Sequence, residues 1–360
     1  MNILFIPSLP ISHELTDKDG FLDIANRDKW MSSLLIRRGY PTRLWAAGES
    51  SYEDEWQYDD LPAVPVRIFK TDASNPDPLR EVSTALNKAV AESDADMVIL
   101  KGLDGGVGLQ LAKHVLVPKG IPFAWIIDGT WYHPLLARAF AVLYETEWQR
   151  GQLTSRGIRF WRKVIDDKKM IPLPKSVDTR HFAPDPLVTK ECDVIGMEQV
   201  LTHSPKMDSL IALSRHLKVG VIGGGSELYN FRKRYPEIDW YGAVPYSDLP
   251  AMINRGRIFF HSGLRHDHPR SIVEAAACGV PPVAFREVTD ERVLPESVGW
   301  RITQKKFVDE LVALAADREK LQKVSHTARS HAEKHWHHTS SLPAIRELIN
   351  RMIETKKNTG

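Results

Sequence analysis

HSGLRHDHPRSIVEAAACGVPPVAF, residues His261 to Phe285, reads as a strand end, a polar loop, a short helix, a tight stop and a second buried strand. Pro269 stands at the start of the helix and Gly279 just past its end, the usual asymmetry of helix punctuation. A helix opened by a polar loop at the carboxyl end of a strand turns free N–H groups and a positive dipole end outward. Such an end can seat a phosphate or a sugar hydroxyl. Glu274 lies between two apolar turns and can aim a carboxylate at neutral hydroxyls such as those of a ribose. It can equally be a helix carboxylate stabilised by the dipole with no ligand.

Outward from that stretch, apolar runs alternate with amphipathic ones, which predicts parallel sheets wound with helices. Strands are expected at Ile3–Pro7, Thr42–Ala46, Val66–Phe69, Met97–Leu100, Pro122–Ile127 and Ala141–Tyr144. The second half repeats the rhythm at Asp193–Gly196, Val219–Ile222, Asp239–Gly242, Ile258–His261 and Pro282–Phe285. Helical patterns fall between them, including one long helix over Phe307–His335 and a last one over Leu342–Thr355. Between the halves lies MIPLPKSVDTRHFAPDP, Met170 to Pro186. Its prolines fix φ and remove donors, so it reads as an extended connector.

Two stretches resemble the retaining GT-B glycosyltransferases of family 4, the glycosyl transferases group 1. That family carries a glutamate, seven residues, a second glutamate, a small-residue run, Cys or Ser, Gly, and a Pro-Val strand. Glu274-Ala-Ala-Ala-Cys-Gly-Val-Pro281 matches the second half, and His266 stands where the first glutamate is usual. Pro174-Lys-Ser-Val-Asp-Thr-Arg-His-Phe-Ala-Pro184 matches the interdomain pattern, with Ser176 in place of glycine. The resemblance implies two Rossmann-like, doubly wound parallel-sheet domains facing a central cleft. Residues 1–175 would bind the acceptor, 176–338 the nucleotide sugar, and a helix in 339–360 would cross back to the first domain.

It also implies site residues. The first glutamate of the motif is expected to meet the transferred sugar; here His266, or Asp267 beside it, takes that part. Glu274 would bind the ribose. Lys206 and the helix start at Pro269, Arg270 and Ser271 would hold the diphosphate, since Met197 replaces the family's arginine. Gly223, Gly224 and Gly225 would lie beside the nucleotide, with Val244 bordering the base. Read from the residues alone, the glycine turn is as well a tight turn needing positive φ. A dinucleotide fingerprint fails, because Leu228 stands where its third glycine belongs.

In the first domain the strand ends point to Lys101, Asp104, Asp128 and His133. Asp128 occupies the place of a family histidine that faces the sugar, and His133 follows five residues later. Either can serve sugar or acceptor, and His133 can instead be a loop residue with a satisfied ring. The carboxylates of Glu145 and Glu147 read as helix caps. No protein nucleophile is assigned; positioning and electrostatic stabilisation of the leaving diphosphate would do the work.

The composition, 360 residues with 42% hydrophobic, 26% charged and a formal charge of +2, fits a globular two-domain protein and gives no general case for nucleic acid or membranes. No apolar run approaches a membrane span, and Met1-Asn2-Ile3-Leu4-Phe5 enters a strand without a charged leader. Two cysteines, Cys192 and Cys278, allow neither a disulfide framework nor a zinc site, so a reducing cytoplasm is expected. No metal-ligand constellation is legible, and no cofactor is expected beyond the UDP- or GDP-type donor as substrate.

The expected activity is transfer of a sugar, with retention, to a hydroxyl on a glycan, a small molecule or a nucleic acid. Nine basic and three acidic residues between Arg150 and Arg180, interleaved with Trp148, Phe160 and Trp161, make a hydroxylated base in DNA one alternative acceptor. The blander reading of that stretch is a solvated face over buried rings. A third reading is a degenerate module that kept nucleotide-sugar binding and lost turnover, favoured by His266, Met197 and Asp128.

Overall fold

The computed structural model describes residues 1–8, 28–72, 80–103, 105–128, 132–155 and 164–359. The chain divides into two compact units, Met1–Leu173 with Ser341–Gly360, and Pro174–Ser340.

The first unit is built on an eight-stranded sheet in the order β3-β4-β2-β1-β5-β6-β7-β8. Its strands are β1 (Ile3–Pro7), β2 (Thr42–Gly48), β3 (Tyr52–Trp56), β4 (Val64–Lys70), β5 (Met97–Lys101), β6 (Phe123–Ile126), β7 (Ala141–Tyr144) and β8 (Met170–Pro172). All neighbours are parallel except β3 on β4. The unbroken apolar run of β1 follows from that geometry, since a parallel strand under helices is buried on both faces. Ile3 and Phe5 point into one core with Leu34 and, from the last helix (Leu342–Thr359), Ile345 and Leu348. Leu4 and Ile6 point into the other, with Val98, Leu100 and Trp125. The helix after β5 begins at Gly106 and continues through a π turn, Ala112–Leu116, to Lys119.

At the Glu147–Thr154 helix the cap is Thr146, whose side chain takes Gln149 N–H while Gln149 returns the bond. Glu147 is thus a first-turn carboxylate and not the cap. Thr146 and Gln149 fill the two positions of a capping box.

The second unit holds six parallel strands: β9 (Cys192–Val200), β10 (Val219–Gly224), β11 (Asp239–Gly242), β12 (Gly256–His261), β13 (Pro282–Phe285) and β14 (Trp300–Ile302). Their order is β11-β10-β9-β12-β13-β14, so the winding direction reverses between β9 and β12. Val194, Val221, Ile258 and Phe260 line one core with Met207 and Leu210. Ile195, Ile222 and Phe259 line the other with Ile272, Val273 and Ala276 of the Arg270–Ala277 helix. Gly279 closes that helix at φ +65°, and Val280 N–H reaches Ala275 O at 2.9 Å. Only a residue at ease in the left-handed region makes this stop without strain.

The single helix expected over Phe307–His335 is two, Phe307–Ala316 and Arg318–His331, followed by a π turn. Asp317 breaks it, because its side chain accepts Lys320 N–H at 3.0 Å and so starts a new helix.

Candidate functional site

In an open parallel sheet, ligands bind beyond the carboxyl ends of the strands where the winding reverses. In the second unit that point is the gap between β9 and β12. The Pro205–Ser214 helix follows β9, opened by Ser204, whose hydroxyl accepts Met207 N–H at 3.4 Å. This places Lys206 in the first turn, where its Nζ lies 3.4 Å from Glu198 Oε2 on β9. Burial pushes the Glu198 carboxyl above its usual range, against the pull of Lys206.

His261 ends β12. Loss of solvent, with Lys206 adding to it, pushes its pKa down to about 3, so the ring is neutral. A Cβ at residue 263 would sit 2.1 Å from His261 Nε2, so Gly263 is what lets the imidazole lie across the loop. Asp267 belongs to the same crevice. Burial raises its pKa, while Arg265, Lys175 and Lys206 oppose the rise, and Arg265 Nε stands 3.9 Å from its Oδ2. His266 beside it is half-buried. The next residue, His268, is buried and accepts Lys175 N–H at Nδ1 over 3.5 Å.

Pro269 caps the Arg270–Ala277 helix without any side-chain bond to the first-turn N–H groups; Arg270 and Ser271 in that turn are partly exposed. One turn on, Glu274 is buried, 3% exposed, and its Oε1 accepts the Tyr246 hydroxyl at 3.0 Å. Burial, then the Glu274 charge, drives the Tyr246 phenol up, and a hydrogen bond with Arg270 pulls the other way. His181 stacks on the Tyr246 ring at 6.0 Å between centroids. Arg270, Tyr246 and Glu274 are therefore one contiguous polar group.

The glycine turn has a packing role. A Cβ on Gly223 would lie 2.0 Å from Glu198 O, and Gly225 holds φ +118° with Val200 and Leu201 against it. Val244 leans partly buried on the core beside Tyr246. Met197, at the arginine's place, packs on the same core, so no guanidinium starts from that position.

In the first unit Lys101, at the end of β5, pairs with Asp128 just past β6 at 2.7 Å. The His133 ring accepts Leu135 N–H through Nδ1 at 3.2 Å, and burial lowers its pKa. It acts there as a cap. Asp104 lies outside the described residues, as do Arg156, Arg159, Phe160, Trp161, Arg162 and Lys163 of the basic stretch. Its flanks are engaged internally: Arg150 with Asp167 at 2.6 Å, and Lys169 Nζ with Ala137 O and Ala139 O.

The fold thus gathers Lys206 and Asp267 at the β9–β12 crevice, Arg270 with Glu274 at the next helix, and Lys101 with Asp128 in the other unit. Glu198, His261, Tyr246 and His181 were not singled out from sequence. The only signal for His261 is its place as the last residue of a strand, and the other three carry none until the strands are ordered.

Residues 196–334 match the family model described as Glycosyl transferases group 1. One component of the human phosphatidylinositol N-acetylglucosaminyltransferase is 26% identical over 158 residues, 40% of this chain and 33% of that protein. The gpi3 subunit of the Schizosaccharomyces pombe enzyme is 26% identical over 148 residues, 37% of this chain and 32% of that protein. The matched part thus spans about a third of the length of these curated relatives. Among solved structures, sucrose-phosphate synthase from Thermosynechococcus elongatus superposes with a TM-score of 0.72 at 12% identity, covering 99% of this chain and 100% of that one. HepE from Anabaena, solved with UDP, gives 0.69 at 14% over 97% and 100%. The pneumococcal O-GlcNAc transferase GtfA, solved with UDP and GlcNAc, gives 0.63 at 11% over 98% and 99%. These likenesses show the fold, which is GT-B. No helix among the described residues is long and apolar enough to cross a membrane.

Proposed function

We propose that this chain, whose residues 196–334 belong to the glycosyl transferases group 1, moves a sugar from a nucleoside diphosphate to a hydroxyl acceptor. One observation carries the reading. The Lys206 ammonium at one helix start and the Pro269 helix start, with no side-chain cap, flank the point where the second sheet reverses its winding. Both favour a diphosphate. Lys206, Arg270 and Ser271 hold the phosphates in this reading, and Glu274, kept in place by Tyr246, takes the ribose hydroxyls. The glycine turn and Val244 flank the nucleoside, and His266 and Asp267 meet the sugar.

The donor is of UDP or GDP type, and UDP comes first because HepE and GtfA were solved with it. Lys101, Asp104 and His133 face the acceptor, with Asp128 at the sugar. Retention follows from positioning the acceptor on the leaving-group side and stabilising the departing diphosphate, without a protein nucleophile and without a metal in the chemistry. The cytoplasm, where nucleotide sugars are made, suits such a donor.

The test is a thermal screen of UDP-, GDP- and ADP-sugars on the wild type and on Glu274→Ala, followed by an assay for donor hydrolysis. One donor should raise the melting temperature of the wild type, as a ligand selective for the native state does. The variant should bind it about tenfold or more weakly, a loss of ~1.4 kcal/mol. No stabilisation by any donor, or an equal response of the variant, refutes the reading. Stabilisation without hydrolysis or transfer would favour the degenerate module, to which Met197 and His266 already incline.

A further inference from the structure

The second unit begins at Pro174 and ends at Ser340, and its two ends are tied together. Val177 and His337 form an isolated parallel bridge, and Val177 N–H donates to Trp336 O at 2.8 Å. Each tied segment brings metal-ligating side chains to the join: Asp178 from the first, His337 and His338 from the second. One ligand atom from each lies within 4.8 Å of the other two. Asp178 and His338 are buried, 3% and 4% exposed, and His337 is partly buried.

We propose that Asp178, His337 and His338 form a binding site for a divalent transition-metal ion, zinc by preference, that staples the segment entering the second unit to the segment leaving it. Two imidazoles and a carboxylate are the donor set of a borderline cation; hard cations such as calcium and magnesium prefer all-oxygen sites. Tetrahedral bonds of ~2.0–2.1 Å put ligand atoms about 3.3 Å apart. The three groups therefore need to close by up to about 1.5 Å.

The surroundings prepare the ligands. Thr179 Oγ1 lies 2.8 Å from His337 Nδ1, the kind of second contact that fixes a ring so that its other nitrogen faces the metal. Two hydrogen bonds from the Arg180 side chain hold the orientation of the Asp178 carboxylate.

Arg180 is also the competitor. Its Nε and Nη2 each lie 3.2 Å from an Asp178 oxygen. The guanidinium is 52% exposed and can turn out to water, while the Arg180 backbone N–H keeps its bond to Oδ1 at 2.9 Å. Metal entry exchanges one positive charge on Asp178 for another. This gives the site a signature that a plain structural ion pair lacks: removing Arg180 should strengthen metal binding.

The experiment uses the full chain, stripped with a chelator and titrated with zinc chloride by calorimetry, and with cobalt chloride by visible absorption. We expect one equivalent bound at micromolar or lower concentration, with the intense visible bands of four-coordinate cobalt. His337→Gln with His338→Gln should weaken zinc binding by about 100-fold or more, and Arg180→Ala should tighten it several-fold. If the double variant fails to fold, the wild-type stoichiometry and cobalt spectrum decide. No binding by the wild type, six-coordinate cobalt, or an Arg180→Ala affinity unchanged or weaker would each overturn the assignment. So would zinc that survives His337→Gln/His338→Gln and is lost in His331→Gln/His335→Gln, whose rings lie 4.5 Å apart one helical turn away. None of these readouts involves sugar transfer, so the site stands or falls apart from the proposed activity.

Discussion

The Tyr246 hydroxyl donates to Oε1 of Glu274 at 3.0 Å and so joins the turn after β11 to the helix after β12. A carboxylate 3% exposed would be costly to leave without such a donor. The bond also limits how Glu274 can turn toward a ligand. Its position in sequence raised two readings, a ribose ligand or a helix carboxylate satisfied by the dipole, and the structure shows a side chain held by a partner 28 residues away.

Tyr246→Phe therefore tests what that partner does. The ring keeps its stack on His181 and its edge contact with Phe182, so only the hydroxyl is lost. Hydrogen bonds to charged groups contribute about 1.5–3 kcal/mol, and urea unfolding should show a loss in that range. Donor KM should rise several-fold with kcat changed less, since Glu274 would bind ribose and does not touch the reacting bond. Unchanged stability and unchanged KM together would mean the bond holds nothing in place.

Glu198 and Lys206 make a second, signed prediction. The 3.4 Å pair ties the lysine to a mostly buried carboxylate. Glu198→Gln keeps the shape and removes the charge, so the ammonium is freed for a diphosphate; Lys206→Met removes it. Calorimetry with UDP should show a few-fold tighter binding for the first and about tenfold weaker binding for the second, a spread of ~2 kcal/mol. Both variants moving the same way would remove Lys206 from the phosphate site.

A third prediction separates steric from conformational need at two glycines. Gly39 has φ +83° and nothing within 4 Å of a built Cβ, so Gly39→Ala should cost about 1 kcal/mol through backbone strain alone. At Gly223 the Cβ would stand 2.0 Å from a backbone oxygen of Glu198, which cannot yield without moving β9. Gly223→Ala should cost more than about 2 kcal/mol in urea unfolding and disturb UDP binding through Glu198. Equal losses at the two positions would show that the β9–β10 contact is loose.

Much of the fold is legible in the sequence because parallel strands under helices leave simple traces. Runs such as Ile3–Pro7 and Pro282–Phe285 are apolar throughout, and Gly279 marks the helix end by its own chemistry. β3 leaves no such trace. Its YEDEW is acidic at the centre because it is an edge strand paired on one side only, where charge is tolerated. The break at Asp317 is missed for a different reason, since the apolar period continues through a residue that caps with its side chain.

Site residues are legible where a motif is local and hidden where the sheet assembles them. Glu274 and its helix start lie on one stretch, whereas Tyr246 reaches Glu274, and His261 comes near Lys206, only through the strand order β11-β10-β9-β12 and its flanking turns. The Asp178, His337 and His338 cluster spans nearly the whole second unit, so no spacing rule could announce it.

His261 carries the pH prediction. Its pKa falls from 6.5 to about 3 because the folded crevice withholds solvent and sets Lys206 nearby. The ring is neutral in the fold, whereas the unfolded chain binds a proton below pH 6.5. The contribution is fully present above that value and is lost as pH falls from 6.5 toward 3, by up to ~1.4 kcal/mol per pH unit. Glu198 and Asp267 act in the opposite sense, since their raised pKa values favour the fold at low pH and lose that effect as pH rises through them. The comparison must therefore be a difference, wild type against His261→Gln, which keeps a neutral polar side chain at every pH. Urea unfolding from pH 8 to pH 4 should give a constant difference above pH 7 that moves steadily toward the variant below 6.5. A difference that stays level down to pH 4 would show that the His261 ring accepts its proton in the fold as readily as in the open chain, and that the crevice between β9 and β12 is wet.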